Sequence, residues 1–174
     1  MPLWLGFIIA SINVSLCYLP SHEAQHNIIA RRGQPLRWLN EVVGHLSVIP
    51  LFQPYRVLRD THMEHHAHTN DPQLDPDYPV HAPGDFAFLK GAIKNRQPYT
   101  NAADAYSDAL KRVGKEHVLI DALVYAVLYL AFLVGMAWSG YALEAALLWW
   151  LPRHVGLIYI CLLYTSPSPR DDEL

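Results

Sequence analysis

The chain has 174 residues, enough for one ordinary domain, and its charged fraction of 17% is below the roughly 25% typical of soluble domains. Its hydrophobic residues make up 52% of the sequence and gather in long, almost uncharged segments. The formal net charge of −3 excludes a strongly basic protein, so we expect no nucleic-acid partner.

Three of these segments are predicted to be membrane-spanning helices. They are residues 2–19, 118–140 and 141–163. The first segment carries no charged residue, the second carries Asp121, and the third carries Glu144 and Arg153. Because a spanning helix needs about 20 mostly apolar residues, the predicted fold class is all-α. We expect an integral, multi-pass membrane protein.

Basic residues flank the predicted spans on one side of the membrane. Arg31, Arg32 and Arg37 follow the first span, and Lys111 and Arg112 precede the second. Since Lys and Arg accumulate in cytoplasmic loops, this side is predicted to be the cytoplasmic one. The histidine clusters described next lie in the same part of the sequence, and we expect them on the cytoplasmic face.

The first histidine cluster follows the first predicted span directly. His22 and His26 are four residues apart, so on a helix they share one face. Pro20 and Ser21 stand at the join and leave two alternatives. Ser21 caps a new helical turn, or Pro20 kinks one continuous helix that includes the cluster.

Residues 39–58 are apolar but are not predicted to be a span. They contain Glu41, Arg56, Pro50 and Pro54, which a spanning helix disfavours. An interfacial or re-entrant segment is predicted instead. Later in the chain, residues 86–115 mix aromatic and basic residues, which favours helices at the membrane surface, and Ser139 with Gly140 is predicted to be the turn of a helical hairpin.

The second histidine cluster contains His62, His65 and His66, whose spacing also places them on one helix face. Five imidazoles aimed into one space indicate a metal site, since imidazole binds iron, zinc, copper and nickel. One tetrahedral zinc takes fewer protein ligands than five, so two metal ions are predicted. Residues 69–77 contain two prolines and are predicted to be a loop.

The two clusters, in this order, resemble the membrane fatty-acid desaturase superfamily. Its first two histidine boxes have the forms His-x3-His and His-x2-His-His, which correspond here to residues 22–26 and 62–66. The continuation over residues 68–77, and Asn40 with the apolar stretch between the boxes, are also similar to bacterial members. The resemblance extends over roughly residues 10–160.

This resemblance implies a membrane-bound di-iron oxidoreductase. It would use O2 as co-substrate and two electrons to introduce a double bond into a fatty acyl lipid. The electrons would come from a donor of the ferredoxin, rubredoxin or cytochrome b5 type, and membrane lipids would surround the protein. The implied ligands of the two nonhaem iron ions are His22, His26, His62, His65 and His66.

Nearby carboxylates are candidates to orient the ligand imidazoles through their N–H groups, as commonly occurs at metal sites. They are Glu23, Glu64, Asp71 and Asp75, and they are chosen only by their proximity to the boxes in the sequence.

The sequence departs from the family at one point, because it contains no third box of the form His-x2-His-His. In the family this box follows the last span, so we expect the chain to be a fragment that holds a partial desaturase-like domain at residues 1–163. Residues 164–174 change abruptly to a Pro- and Ser-rich composition. They are predicted to be a tail outside the domain, with a composition typical of a sequencing artefact.

Three alternatives to a desaturase stay open at this point. Carotenoid, sterol and alkane hydroxylases or ketolases have similar boxes, so the box pattern does not distinguish these enzymes or their substrates. Residues 22–26 also have the form His-Glu-x-x-His, in which two histidines bind zinc and Glu23 acts as the general base of an intramembrane metalloprotease. The third alternative is an inactive fragment with an incomplete set of ligands.

Overall fold

The structure, a computed structural model, describes residues 2–31, 33–78, 90 and 101–164. Over these ranges the chain is helical and contains no strand, which confirms the all-α fold class. The surface helices predicted within residues 86–100 fall outside these ranges except at Lys90, and so does the tail from residue 165 onward.

The first helix, α1, extends over Leu3–Gln25 without interruption at Pro20 or Ser21. Of the two alternatives for this join, the structure has the continuous helix. The helix ends beside His26, and Asn27 follows in the left-handed conformation with φ 56°. Asparagine tolerates this conformation better than most residues, so the chain can turn away from the helix directly after the first box.

Two helices joined by a short turn form a hairpin between the boxes. Helix α2 extends over Trp38–Val48, a 3₁₀ turn follows over Ile49–Leu51, and α3 extends over Tyr55–Ala67. At Gly44 a Cβ atom would lie 2.2 Å from the ring of Tyr55. Only glycine allows so close an approach of the two helices. The predicted loop after the second box is confirmed over residues 69–77.

The second half of the chain forms a helical hairpin. Helix α4 extends over Asn101–Arg112, a 3₁₀ turn over Glu116–Val118, α5 over Leu119–Trp138, α6 over Ala142–Ala145, a π-helical segment over Ala146–Trp150 and α7 over Leu151–Tyr164. Gly140 has φ +84° between α5 and α6. The predicted turn at Ser139 and Gly140 is thus confirmed.

Two helical stretches are long and apolar enough to cross a membrane by length and composition, Leu3–Gln25 and Glu116–Trp138. They correspond to the first two predicted spans. The third predicted span is not confirmed. Residues 142–164 are helical, but a π-helical segment interrupts the α-helix. The charged residues Glu144 and Arg153 lie on either side of that segment.

The packed core joins the two segments that carry the boxes. Its buried members come from α1, the α2–α3 hairpin and α7: Val14, Tyr18, Ala24, Val48, Leu51, Tyr55 and Ile160. A second cluster, of Val57, Leu110 and Val118, joins α3 to α4 and to the beginning of the α5 hairpin. Helix α3 is therefore packed on both sides, and apolar contacts as well as the boxes fix its position relative to α1.

Candidate metal centre

Four of the predicted ligand histidines meet around one atom, Nε2 of His62. His22 and His26 approach from the end of α1, and His66 approaches from the next turn of α3. The Nε2 atoms of His22, His26 and His66 lie 3.1, 3.0 and 3.1 Å from Nε2 of His62. Ligand nitrogens of His22, His26 and His62 all lie within 4.8 Å of one another.

Hydrogen bonding cannot account for this arrangement. A ring nitrogen of neutral imidazole carries either one N–H group or one lone pair, so Nε2 of His62 can form one good hydrogen bond, not three. A cation between the rings satisfies several lone pairs at once. Two nitrogens about 2.1 Å from one metal ion, at right angles, are about 3.0 Å apart. The observed separations therefore fit ligands of a shared metal ion.

Burial favours the neutral, metal-binding form of these imidazoles. Burial, together with the neighbouring histidines, lowers the pKa of His62 to about 2. The pKa of His26 is also lowered, first by burial and then by repulsion from His22 and His66. Both rings are thus held unprotonated at neutral pH, which keeps their lone pairs available to a metal ion.

His65 is paired with a buried carboxylate. Its Nδ1 lies 2.8 Å from Oδ1 of Asp75, and both side chains are buried. The backbone N–H groups of Asn70 and Asp77 donate to the same carboxylate at 2.9 and 2.8 Å. Burial raises the pKa of Asp75, but these hydrogen bonds outweigh it, and the pKa lies below its usual value. An ionised carboxylate on Nδ1 is typical of imidazoles that bind metal through Nε2.

The other candidate carboxylates contact the boxes less directly. Glu23 is half exposed, and its Oε1 lies 3.6 Å from Nδ1 of His22. Asp71 accepts hydrogen bonds from the backbone N–H groups of Gln73 and Leu74, so it shapes the loop that carries Asp75. Glu64 lies 3.5 Å from Arg112 and 3.8 Å from His68.

Three polar contacts that brace the site were not predicted. The Tyr106 hydroxyl donates to Asp77 at 2.6 Å, the Lys115 ammonium to Asp60 at 2.9 Å, and the Asn40 amide to the carbonyl of Ala30 at 2.7 Å. Asp60 and Asn40 are buried. An acid two residues before the second box, on the same helix, is a signal that could have indicated Asp60. Its partner Lys115 has no comparable signal in the sequence.

Comparison with known proteins gives one family. The family model described as "Fatty acid desaturase" matches residues 1–168. No solved structure matches the chain significantly.

Similar curated proteins divide between two activities. The chain is 38% identical over 64 residues to the sn-1 oleoyl-lipid 12-desaturase of Anabaena variabilis, an alignment that covers 37% of the chain and 17% of that protein. It is 39% identical over 62 residues to the zeaxanthin 4-ketolase of Chlamydomonas reinhardtii, covering 35% and 13%. The beta-carotene 4-ketolase 3 of Haematococcus lacustris is 32% identical over 79 residues, covering 45% and 24%. The matched segment thus spans a quarter or less of these relatives.

Proposed function

Because this chain belongs to the fatty acid desaturase family, we propose that it provides the first two histidine boxes of a di-iron enzyme that introduces a double bond into a fatty acyl chain. The observation that carries the proposal is the convergence of His22, His26 and His66 on Nε2 of His62. These residues lie at the end of α1 and on α3, which are separated in the sequence by α2 and a 3₁₀ turn. A shared metal site explains why the fold brings their ring nitrogens together.

The proposed reaction balances with one molecule of O2. One hydrogen leaves each of two adjacent acyl carbons, and these two hydrogens, two electrons and two protons convert O2 into two water molecules. Bound iron would supply the O2 chemistry that unactivated C–H bonds require. The electrons would come from a ferredoxin, rubredoxin or cytochrome b5-type donor.

In this proposal the five box histidines bind the metal ions, and the nearby carboxylates orient them. Four histidines, His22, His26, His62 and His66, present Nε2 atoms to the metal ions, and His62 stands between the others. His65 is the fifth ligand, with Asp75 fixing its ring through Nδ1. Asp71 holds the loop that presents Asp75, and Glu23 biases the orientation of the His22 ring.

The membrane placement is part of the same proposal. Two helices have the length and composition of spans, and the basic residues near the boxes favour the cytoplasmic side. The third span remains proposed for residues 141–163, with Arg153 held by protein contacts inside it. A fatty acyl chain could then reach the boxes from the lipid without leaving an apolar environment.

A carotenoid ketolase is the second candidate, and the identity of 39% to a zeaxanthin 4-ketolase favours it. A ketolase would use the same metal site but would leave a carbonyl group on a ring instead of a carbon–carbon double bond. A catalytic zinc takes three protein ligands, which His22, His26 and His62 could provide. The zinc protease alternative leaves the approach of His66 to His62 without a role and does not agree with the family match, so we do not adopt it.

One host separates the two oxidoreductase candidates. The whole gene is expressed in a bacterium that makes both saturated acyl lipids and β-carotene. We expect new unsaturated fatty acids in the lipid profile and no keto-carotenoid. Keto-carotenoids without new double bonds would replace the proposal by the ketolase, and neither product would overturn both.

Metal analysis of the purified protein separates these candidates from the protease. About two iron ions per chain are expected, whereas about one zinc ion per chain would favour the protease. His117→Ala serves as the control, because His117 is exposed and lies outside the boxes.

A further inference from the structure

The turn of the α2–α3 hairpin lies deep among the apolar helices. Leu51, at this turn, is fully buried in the core that also contains Val14, the middle residue of α1. Phe52 follows Leu51, and its ring centre lies 5.1 Å from that of Tyr129 and 5.6 Å from that of Phe132, both on α5. The turn thus shares a buried core with the middle of α1 and contacts the middle of α5, the two helices that have the character of membrane spans.

Both helices give a similar depth for the turn. At a rise of about 1.5 Å per residue, Val14 lies about 12 Å from His22 along α1, and Tyr129 lies about 15 Å from Leu119 along α5. Half the hydrocarbon core of a bilayer is about 15 Å thick. Measured from boxes at the membrane surface, a turn level with Val14 and Tyr129 therefore lies near the middle of the membrane.

Arg153 contacts the backbone of this turn. Its Nε donates to the carbonyl of Leu51 at 2.6 Å, and its guanidinium carbon lies 4.7 Å from the ring centre of Tyr129. In the residues that the structure describes, no carboxylate lies within ion-pair distance of Arg153. Its partners are therefore a backbone carbonyl and an aromatic face.

This contact provides a hydrogen-bond donor for the irregular backbone at the turn of the hairpin. Irregular backbone at membrane depth is tolerated only where protein groups satisfy its polar atoms. An arginine there is costly by itself and is usually retained for a task. The Leu51 carbonyl needs a donor and the guanidinium needs an acceptor, so each satisfies the other.

We propose that the α2–α3 hairpin is re-entrant, with its turn near the middle of the membrane, and that Arg153 is the positioning residue that holds this turn. Helix α3 is continuous from Tyr55 to Ala67, so the height of the turn sets the height of the second box. The depth of the turn is independent of the proposed function. The effect of Arg153 on the box rests on that function.

Spin labels at three similarly exposed sites measure the depth in phosphatidylcholine vesicles, with Cys17 and Cys161 replaced by alanine. The sites are Ile49→Cys beside the turn, Leu36→Cys before α2 and Leu128→Cys in the middle of α5, which are 47%, 52% and 53% exposed. We expect the label at 49 to collide with O2 and to avoid a water-soluble nickel chelate, as the label at 128 does. A label at 49 that matches the label at 36 would overturn the re-entrant placement.

Variants of Arg153 test its positioning role with Co²⁺ as a spectroscopic probe of the boxes. Arg153→Leu removes the donor, Arg153→Lys keeps a cationic donor, and Arg37→Leu, at an exposed arginine, is the control. For Arg153→Leu we expect the label at 49 to move toward the surface and Co²⁺ affinity to fall roughly tenfold, as for other residues that support a metal ligand. Arg153→Lys should keep most of the label depth and most of the Co²⁺ affinity of the parent chain.

The outcomes separate the two parts of the inference. Arg153→Leu with unchanged label depth and unchanged Co²⁺ affinity would overturn the role of Arg153. A shifted label with unchanged Co²⁺ affinity would overturn its link to the second box. If Arg153→Leu does not accumulate in membranes, the label depth in the parent chain still decides whether the hairpin is re-entrant, and Arg153→Lys tests the contact. A host that shows no desaturation would leave these depth measurements unaffected.

Discussion

Helices α1 and α5 are similar in length and apolar composition but differ in what surrounds them. Both have the character of a membrane span. Helix α1 has six buried residues, among them the polar Ser21 and Gln25, and it contacts α2, α3 and α7. None of the residues of α5 is buried. One helix is the packed centre of the described structure, and the other lies at its edge.

The difference shows which sequence features carry information about the site. Apolar length predicts a span in both helices and does not distinguish them. The positions of the polar residues distinguish the two helices. Helix α1 carries His22 in its last turn and is followed directly by His26. Its apolar part contains Ser11 and Ser15, whose hydroxyls donate to backbone carbonyls of the same helix. In α5 the one charged residue, Asp121, stands in the first turn.

The largest predicted effect concerns His62, which contacts both boxes. His62→Ala should lower iron affinity by more than about 100-fold, because even a residue that only supports a metal ligand contributes about 10- to 100-fold. Iron per chain after dialysis, measured by mass spectrometry, checks the prediction. Retained iron would contradict the assignment of His62, while His117→Ala should keep the full metal content.

Replacement of Asp75 is expected to cause the next largest loss of iron affinity. Asp75→Asn keeps the size of the side chain but replaces the ionised oxygen that faces Nδ1 of His65. Iron affinity should fall about 10- to 100-fold. A titration with Fe²⁺ under anaerobic conditions measures it. Asp108→Asn is the matched control, because Asp108 is exposed and pairs with Lys111. Equal affinities in the two variants would remove Asp75 from the site.

Gly44 and Gly135 compare packing beside α1 with packing on α5. Gly44→Ala places a methyl group against the ring of Tyr55, and overpacking of this kind costs about 1–3 kcal/mol of unfolding free energy. At Gly135 nothing lies within 4 Å of the new methyl group, so Gly135→Ala should stabilise α5 by about 0.5–1 kcal/mol. Unfolding by dodecyl sulfate in mixed micelles measures both.

The double variant Gly44→Ala with Tyr55→Leu tests the cause of the Gly44 effect. If the methyl group collides with the ring, the two changes together should cost less than the sum of their separate costs. Additive costs would contradict a direct contact between these positions.

The smallest change in unfolding free energy is expected for a substitution on the exposed face of α5. Leu128 is 53% exposed, so Leu128→Ala should change the unfolding free energy by no more than about 0.5 kcal/mol. A loss above about 2 kcal/mol in the same micelle assay would show that a protein surface covers this face.

Local patterns predicted much of the architecture from the sequence. The spacing of His62, His65 and His66 predicted a helix with these residues on one face, and the prolines after them predicted the loop that follows. Ser139 and Gly140 predicted the hairpin turn because glycine readily adopts positive φ. Each of these features depends on neighbours within a few residues, where sequence periodicity is informative.

Contacts between distant segments could not be predicted in this way. The sequence could place five histidines near one another, but it could not reveal that His62 would stand between His22, His26 and His66. Asp75 was only one of four carboxylates chosen by proximity. Residues 141–163 were predicted to form one spanning helix, and no local pattern in the sequence indicated the π-helical segment within them.

The hydrogen bond between Leu51 and Arg153 joins residues 102 positions apart. Ribosomes add about 5–20 residues per second, so the newly made turn waits roughly 5–20 s before its donor has been synthesised. During that interval water or a temporary protein partner must occupy the carbonyl. Completion of this turn therefore waits for the synthesis of Arg153, and a chain released before that residue would lack the donor that the turn requires.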